Sequence, residues 1–98
     1  MMHRTGPRIL IIRLSAIGDV VVTTPVARAL REAHPDAYLA WLVEPKAKDL
    51  VIGNPFLDEV IVWDRPSGAV PPKEMWRLRR QLKPHRFEYA IDCQGLLR

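Results

Sequence analysis

Ile9-Leu-Ile-Ile-Arg-Leu-Ser-Ala-Ile-Gly-Asp-Val-Val-Val-Thr-Thr-Pro25 decides the fold. An apolar, β-branched run stops at a small-residue loop, Ser15-Ala16-Ile17-Gly18. That loop leads to a carboxylate, Asp19, with a helix beginning just after. A run covered by apolar side chains at nearly every position is what a strand buried on both faces requires. In a parallel α/β sheet, the first turn after such a strand sits on the edge where ligands bind. A carboxylate there can take a proton or contact a ligand, whereas a structural residue at a buried position would be apolar.

Working outward, Arg8–Leu14 reads as the first strand, after a loose leader from Met1 to Pro7. Thr24-Pro25 has the signature of a helix start, with Thr24 as N-cap and Pro25 at the first helical position. Val26, Ala29, Leu30 and Ala33 then recur at helical spacing and predict the buried face, with Arg28, Arg31 and Glu32 outside it. A turn of helix between Asp19 and Thr23 is left open by the sequence. Pro35 ends the element. Tyr38–Val43 predicts a second strand, Glu44 to Ile52 a short helix or irregular connection, and Glu59–Trp63 a third strand. A Pro- and Gly-rich loop from Asp64 to Pro72 precedes a helix over Lys73–Leu82. Phe87–Asp92 predicts a fourth strand, and Gln94 to Arg98 the start of a further helix that is not completed.

Strands alternating with helices predict βαβ units and a Rossmann-like parallel α/β sheet. Right-handed crossovers then give the strand order 3-2-1-4. Residues 8–98 thus read as an incomplete domain of a longer protein.

The chain has 98 residues, 48% of them apolar and 27% charged, with a formal net charge of +4. That is one small globular domain at most. A single cysteine, Cys93, excludes an intrachain disulfide and a cysteine-built metal site, suits a reducing cytoplasm, and reads as a small buried residue. Histidines 3, 34 and 85 are scattered through leader and loop positions and suggest no metal site. The run before Arg13 is far short of the ~20 residues that span a bilayer.

Charge is uneven along the chain. Residues 71–98 hold seven Lys and Arg against three acids, whereas residues 37–70 hold three against five. A basic C-terminal third points to an anionic partner, or simply to a solvated helix face. On the helix over Lys73–Leu82, Met75, Leu78 and Leu82 make a narrow apolar stripe. Lys73, Arg77 and Arg80 lie opposite, and Trp76 projects on the basic side. A ring among arginines suits a phosphorylated glycan; it also suits packing against a further part of the protein. Nucleic acid is a weaker alternative, since no recognition motif accompanies these residues.

The glycines are informative by their spacing. With only Gly18 in the first turn, neither a dinucleotide fingerprint nor a P-loop is present. Asp19 fits a general base toward a sugar hydroxyl, or a helix cap. Asp92-Cys93-Gln94 closes the fourth strand, which in the order 3-2-1-4 lies ~4.8 Å from the first. Asp19 and Asp92 would then share one sheet edge, where two close carboxylates raise one another's pKa. Asp92 also suits a cap for the next helix.

Arg8 to Pro35, with its S-x-x-G-D-V core, resembles the opening of glycosyltransferase family 9, the ADP-heptose:lipopolysaccharide heptosyltransferases. Trp41-Leu-Val-Glu44, Asn54-Pro55 and Ile91-Asp-Cys-Gln-Gly-Leu-Leu97 resemble that family's next landmarks in the same order. The resemblance implies the acceptor-side half of a two-domain GT-B enzyme of about three times this length. It implies Asp19 as catalytic base, Ser15, Ala16, Ile17 and Gly18 as the donor-phosphate loop, and ADP-heptose as donor with no metal or further cofactor. Asp92, Gln94, Lys73, Trp76, Arg77 and Arg80 become acceptor-side candidates for an anionic lipopolysaccharide core. The resemblance further implies a cytoplasmic location, with peripheral association at the inner face of the cytoplasmic membrane. The nucleotide-sugar domain is absent from these residues, so the 98-residue chain is expected to transfer no sugar by itself. A non-catalytic module binding anionic glycans is the alternative, with nucleic acid not expected as partner.

Overall fold

The computed structural model describes residues 5–64 and 71–94. Its elements follow the order strand β1 (Arg8–Ile12), helix α1 (Ile17–Ala33), strand β2 (Tyr38–Val43), a 3-10 segment (Pro45–Leu50), strand β3 (Glu59–Val62), helix α2 (Pro72–Leu82), a short 3-10 turn (Lys83–His85) and strand β4 (Tyr89–Asp92). The four strands form one sheet in the order β3-β2-β1-β4. All three pairings are parallel, with Ile11 opposite both Trp41 and Ile91. The expected architecture and strand order are those found. The further helix expected from Gln94 onward, most of the Asp64 to Pro72 loop, and Met1–Arg4 of the expected leader lie outside the described residues.

Alternation along β1 and β2 divides the core into two layers. Leu10, Ile12, Leu14, Ala40, Leu42, Ile61 and Trp63 pack with Leu78 of α2, flanked by Met75 and Leu82. On the other face, Ile11, Trp41 and Val43 pack with Val20 and Ala27 of α1 and with Ala47 and Val51 around the 3-10 segment. Both faces of the central strands are covered, which explains their near-continuous apolar character.

The leader is tied down at its end. The Gly6 N–H donates to the Asp36 carbonyl at 2.8 Å, and a Cβ at Gly6 would meet the Asp36 carbonyl carbon at 2.7 Å. The Tyr38 N–H donates to the Pro7 carbonyl at 2.9 Å.

Helix α1 departs from expectation in two ways. It begins at Ile17 rather than Pro25, so Pro25 lies inside it. A proline there cannot donate to the carbonyl four residues back. That carbonyl belongs to Val21, and the Thr24 hydroxyl donates to it at 2.7 Å. Thr24 therefore satisfies the gap its neighbour leaves rather than capping the helix. The buried face is also rotated: Val20 and Ala27 are fully buried with Val26 and Leu30 beside them, whereas Ala29 and Ala33 are exposed.

Arg31, expected outside that face, turns inward. Its guanidinium pairs with Asp58 at 2.7 Å and donates to the carbonyls of Phe56, Ala37 and Pro35. The Asp58 carboxylate also accepts from the Leu39 N–H at 2.8 Å. This pair locks the last turn of α1 to the entry of β3 and the start of β2. Strands β1, β3 and β4 are each shorter than expected, although residues beyond their ends still bond to the neighbouring strand, as the Trp63 N–H does to the Val43 carbonyl at 2.9 Å and the Glu88 N–H to the Arg8 carbonyl at 2.8 Å.

Candidate active site

The carboxyl ends of β1, β2 and β4 lie side by side in this parallel sheet, and the chain leaves β1 through Arg13, Leu14 and the loop Ser15-Ala16 into α1. The Trp41 indole, fully buried, donates to the Arg13 carbonyl at 3.0 Å and anchors the turn from beneath. The Glu44 N–H donates to the Leu14 carbonyl at 3.1 Å, extending the β1–β2 ladder to the edge. From the β4 side, the Gln94 side-chain oxygen accepts from the N–H groups of Leu14 at 3.1 Å and Ser15 at 3.4 Å. One side chain on one strand end thus shapes the loop after its neighbour.

Helix α1 starts without a side-chain cap. Its N-cap is Ala16, and its first internal hydrogen bond runs from the Val20 N–H to the Ala16 carbonyl at 2.9 Å. The amides of Ile17, Gly18 and Asp19 precede that bond and face the edge without an intrahelical partner, at the positive end of the helix dipole. Ala16, Ile17 and Gly18 are exposed and Ser15 is half-buried. A Cβ on Gly18 would meet nothing within 4 Å, so packing does not demand a glycine there. What its small size provides is open space above the first turn.

Asp19 is the third residue of α1, not its cap, and its side chain is 60% exposed on this edge. Its carboxylate pairs with the Arg13 guanidinium at 2.9 Å. A second nitrogen of Arg13 donates to the Cys93 carbonyl, and the Cys93 N–H donates to the Ile12 carbonyl at 2.9 Å. Arg13 thereby joins the end of β1, the first turn of α1 and the end of β4. Cys93 is half-buried rather than buried, and its backbone does the work. The Asp92 carboxylate accepts from the Gln94 N–H at 3.1 Å, closing a local turn that presents Gln94 to the Ser15 loop.

Asp19, the Ser15-Ala16-Ile17-Gly18 loop, Asp92 and Gln94 therefore lie along the same sheet edge. Lys73, Trp76, Arg77 and Arg80 stand apart, exposed on the outer side of α2. Two residues of this edge escaped the sequence reading. Arg13 carried a signal, a lone charge ending an apolar strand. Glu44 ends β2 in the same way; its side chain is only 12% exposed, with the Lys46 ammonium 3.9 Å away. A hollow of about 720 Å³ opens elsewhere, lined by Gly6, Ile9, Leu30, His34, Tyr89 and Ile91, and contains none of the candidate residues.

Comparison with known proteins places this edge in context. No family model matches the chain. A crystal structure titled as the glycosyl transferase family 9 from Veillonella parvula superposes with a TM-score of 0.80 at 26% identity, covering 93% of this chain and 27% of that one. The chain resembles glycosyltransferase family 9. The Escherichia coli heptosyltransferase WaaC with ADP superposes with a TM-score of 0.69 at 27% identity, over 91% of this chain and 28% of that one. Lipopolysaccharide heptosyltransferase 1 of Pseudomonas aeruginosa is 28% identical over 97 residues, covering 93% of this chain. The chain spans about 27% of the length of that relative.

Proposed function

We propose that this chain supplies the acceptor-side portion of an inverting heptosyltransferase, with Asp19 as its general base. The observation that carries the reading is an exposed carboxylate, fixed by Arg13 on the carboxyl edge beside an uncapped helix start, in a chain similar to heptosyltransferases. Asp19 takes the proton of an acceptor hydroxyl in a lipopolysaccharide inner core. The oxygen's electron pair forms the new bond to the anomeric carbon of ADP-heptose while the bond to the diphosphate breaks, and ADP leaves. The amides of Ile17 and Gly18, with the helix dipole behind them, suit the charge growing on the diphosphate. The reading gives that charge to the helix start and to cationic side chains, and requires no metal.

A longer polypeptide, with a second domain for the nucleotide, is part of this proposal, as is a cytoplasmic location at the inner membrane face. Among the described residues no helix is long and apolar enough to cross a membrane. A purely binding module is disfavoured because the similar curated proteins are named heptosyltransferases.

The test is transfer of labelled heptose by the longer polypeptide. Asp19→Asn lowers turnover by about 10²–10⁴-fold, the usual share of a general base. Its unfolding curve shifts little, because the Asn side-chain oxygen can still accept from Arg13 and the position is 60% exposed. Near-normal turnover in that variant rejects the assignment. Gly18→Ala leaves the fold intact and lowers turnover only if a ligand approaches the first turn. The 98-residue chain alone transfers nothing.

A further inference from the structure

The hydrogen-bond ladder between β1 and β4 changes partners at its last rung. Ile12 pairs with Asp92, and the Cys93 N–H donates to the Ile12 carbonyl at 2.9 Å. In a parallel ladder continued at that register, the next bond from β1 runs from the Leu14 N–H to the Cys93 carbonyl. That carbonyl accepts from the Arg13 guanidinium instead. The Leu14 N–H turns to the side-chain oxygen of Gln94 at 3.1 Å, and the Ser15 N–H joins it at 3.4 Å.

The two changes are linked. Leu14 is fully buried, so its amide needs an acceptor within the protein. Gln94 provides it, and only the amide oxygen can do so, because both of its partners are N–H donors. The turn in which the Gln94 N–H donates to the Asp92 carboxylate at 3.1 Å sets the side chain in place. With the Leu14 amide satisfied there, the Cys93 carbonyl is left to Arg13.

Arg13 depends on that carbonyl. The Trp41 indole holds the Arg13 backbone carbonyl at 3.0 Å, so only the side chain has freedom to move. Its Nε is buried without a partner among the described residues, which leaves the terminal nitrogens to fix the guanidinium, one on Cys93 and one on Asp19. Asp19 is 60% exposed and hydrated, and an exposed ion pair is a weak anchor. The Cys93 carbonyl is therefore the fixed point from which Arg13 reaches Asp19.

We propose that Gln94 is a positioning residue for Asp19: by taking the Leu14 amide it frees the Cys93 carbonyl for Arg13, and Arg13 then holds the carboxylate. Without the Gln94 oxygen, the Leu14 N–H reverts to the regular rung on Cys93 and displaces the guanidinium. The effect passes through two backbone groups and one cation, with no contact between Gln94 and a substrate. Its kinetic consequence rests on Asp19 as the base; the exchange of partners does not.

Two measurements test it. In a crystal structure of Gln94→Met, the Leu14 N–H is expected within hydrogen-bond distance of the Cys93 carbonyl, with the Arg13 guanidinium moved off both that carbonyl and Asp19. An Arg13 still seated on Cys93 and Asp19 overturns the proposal. In the longer polypeptide, Gln94→Met is expected to lower kcat about tenfold with KM nearly unchanged. Gln94→Asn, one methylene too short to reach Leu14, lowers it similarly and separates lost reach from methionine's shape. Combining Gln94→Met with Arg13→Gln gives a double variant no slower than Arg13→Gln alone, because both changes act through one guanidinium. Losses that multiply in the double variant, a raised KM at wild-type kcat, or wild-type kinetics in Gln94→Met beside an inactive Asp19→Asn each overturn the proposal and leave the base assignment standing. An active Asp19→Asn rejects the base instead, and the crystal structure still decides the exchange.

Discussion

The Arg13 guanidinium holds the Asp19 carboxylate at 2.9 Å across the turn from β1 into α1, while its other arm reaches the Cys93 carbonyl beyond β4. The cation is 19% exposed and the carboxylate 60%, so one partner is anchored and the other faces outward. Rigid elements on three sides fix the cation. The exposed Asp19 therefore inherits an orientation that a free surface carboxylate would lack. Within the proposed reaction, that makes Arg13 a positioning residue.

Arg13→Gln is expected to lower kcat about 10–100-fold through misplacement of the base, with KM nearly unchanged. Arg13→Lys recovers part of the loss, since an ammonium keeps the charge but lacks the planar fork that serves Asp19 and Cys93 together. Steady-state transfer kinetics of the longer polypeptide decide the matter. A wild-type kcat in Arg13→Gln, alongside an inactive Asp19→Asn, would reject the positioning role and leave the base assignment standing.

The Arg31–Asp58 pair makes a different claim, about stability. Both side chains are largely buried, 15% and 14% exposed, and each satisfies backbone groups besides its partner. Removing one member leaves a charge in a poorly hydrated place, which costs about 3–5 kcal/mol. Small domains have only about 5–15 kcal/mol in total. Arg31→Met is therefore expected to remove a large share of the chain's stability, seen as a clearly lower midpoint in urea denaturation followed by circular dichroism. A midpoint within the error of wild type would mean that the pair contributes nothing net.

The sheet was legible because β1 and β2 are buried on both faces, and their apolar runs carry that fact locally. The carboxyl edge was legible for the same reason, since the residue after a buried strand has only one place to be. What escaped was everything set by distant partners. Thr24-Pro25 has the local signature of a helix start, yet Val20 buries against Ile11 and Trp41, and that packing draws the helix back to Ile17. Arg31 looked solvated because periodicity treats every charge as exterior; its carboxylate partner lies 27 residues on. Arg13 was visible only as an interruption of an apolar run, because its partners, Asp19 and Cys93, meet only once β4 lies beside β1.

Tyr38 provides a pH signature of the opposite, amino edge of the sheet. Its hydroxyl donates to the Glu59 carboxylate, and the Arg8 guanidinium lies 4.2 Å above its ring. Burial, then the hydrogen bond to Glu59 and that carboxylate's charge, push the phenol from 10.0 up to about 12, with Arg8 pulling the other way. The folded state therefore holds this proton more tightly than the unfolded chain does. The associated stability is fully present below pH 10 and is lost as pH rises toward 12. Tyr38 is only partly buried, so the loss is on the order of 1 kcal/mol once solvent screening is allowed for. Urea denaturation of wild type and Tyr38→Phe across that window should show the wild type losing stability faster. The tyrosinate absorbance of wild type minus variant should rise with a midpoint near 12. A midpoint at 10.0 would mean that the hydroxyl is free of Glu59 and open to water.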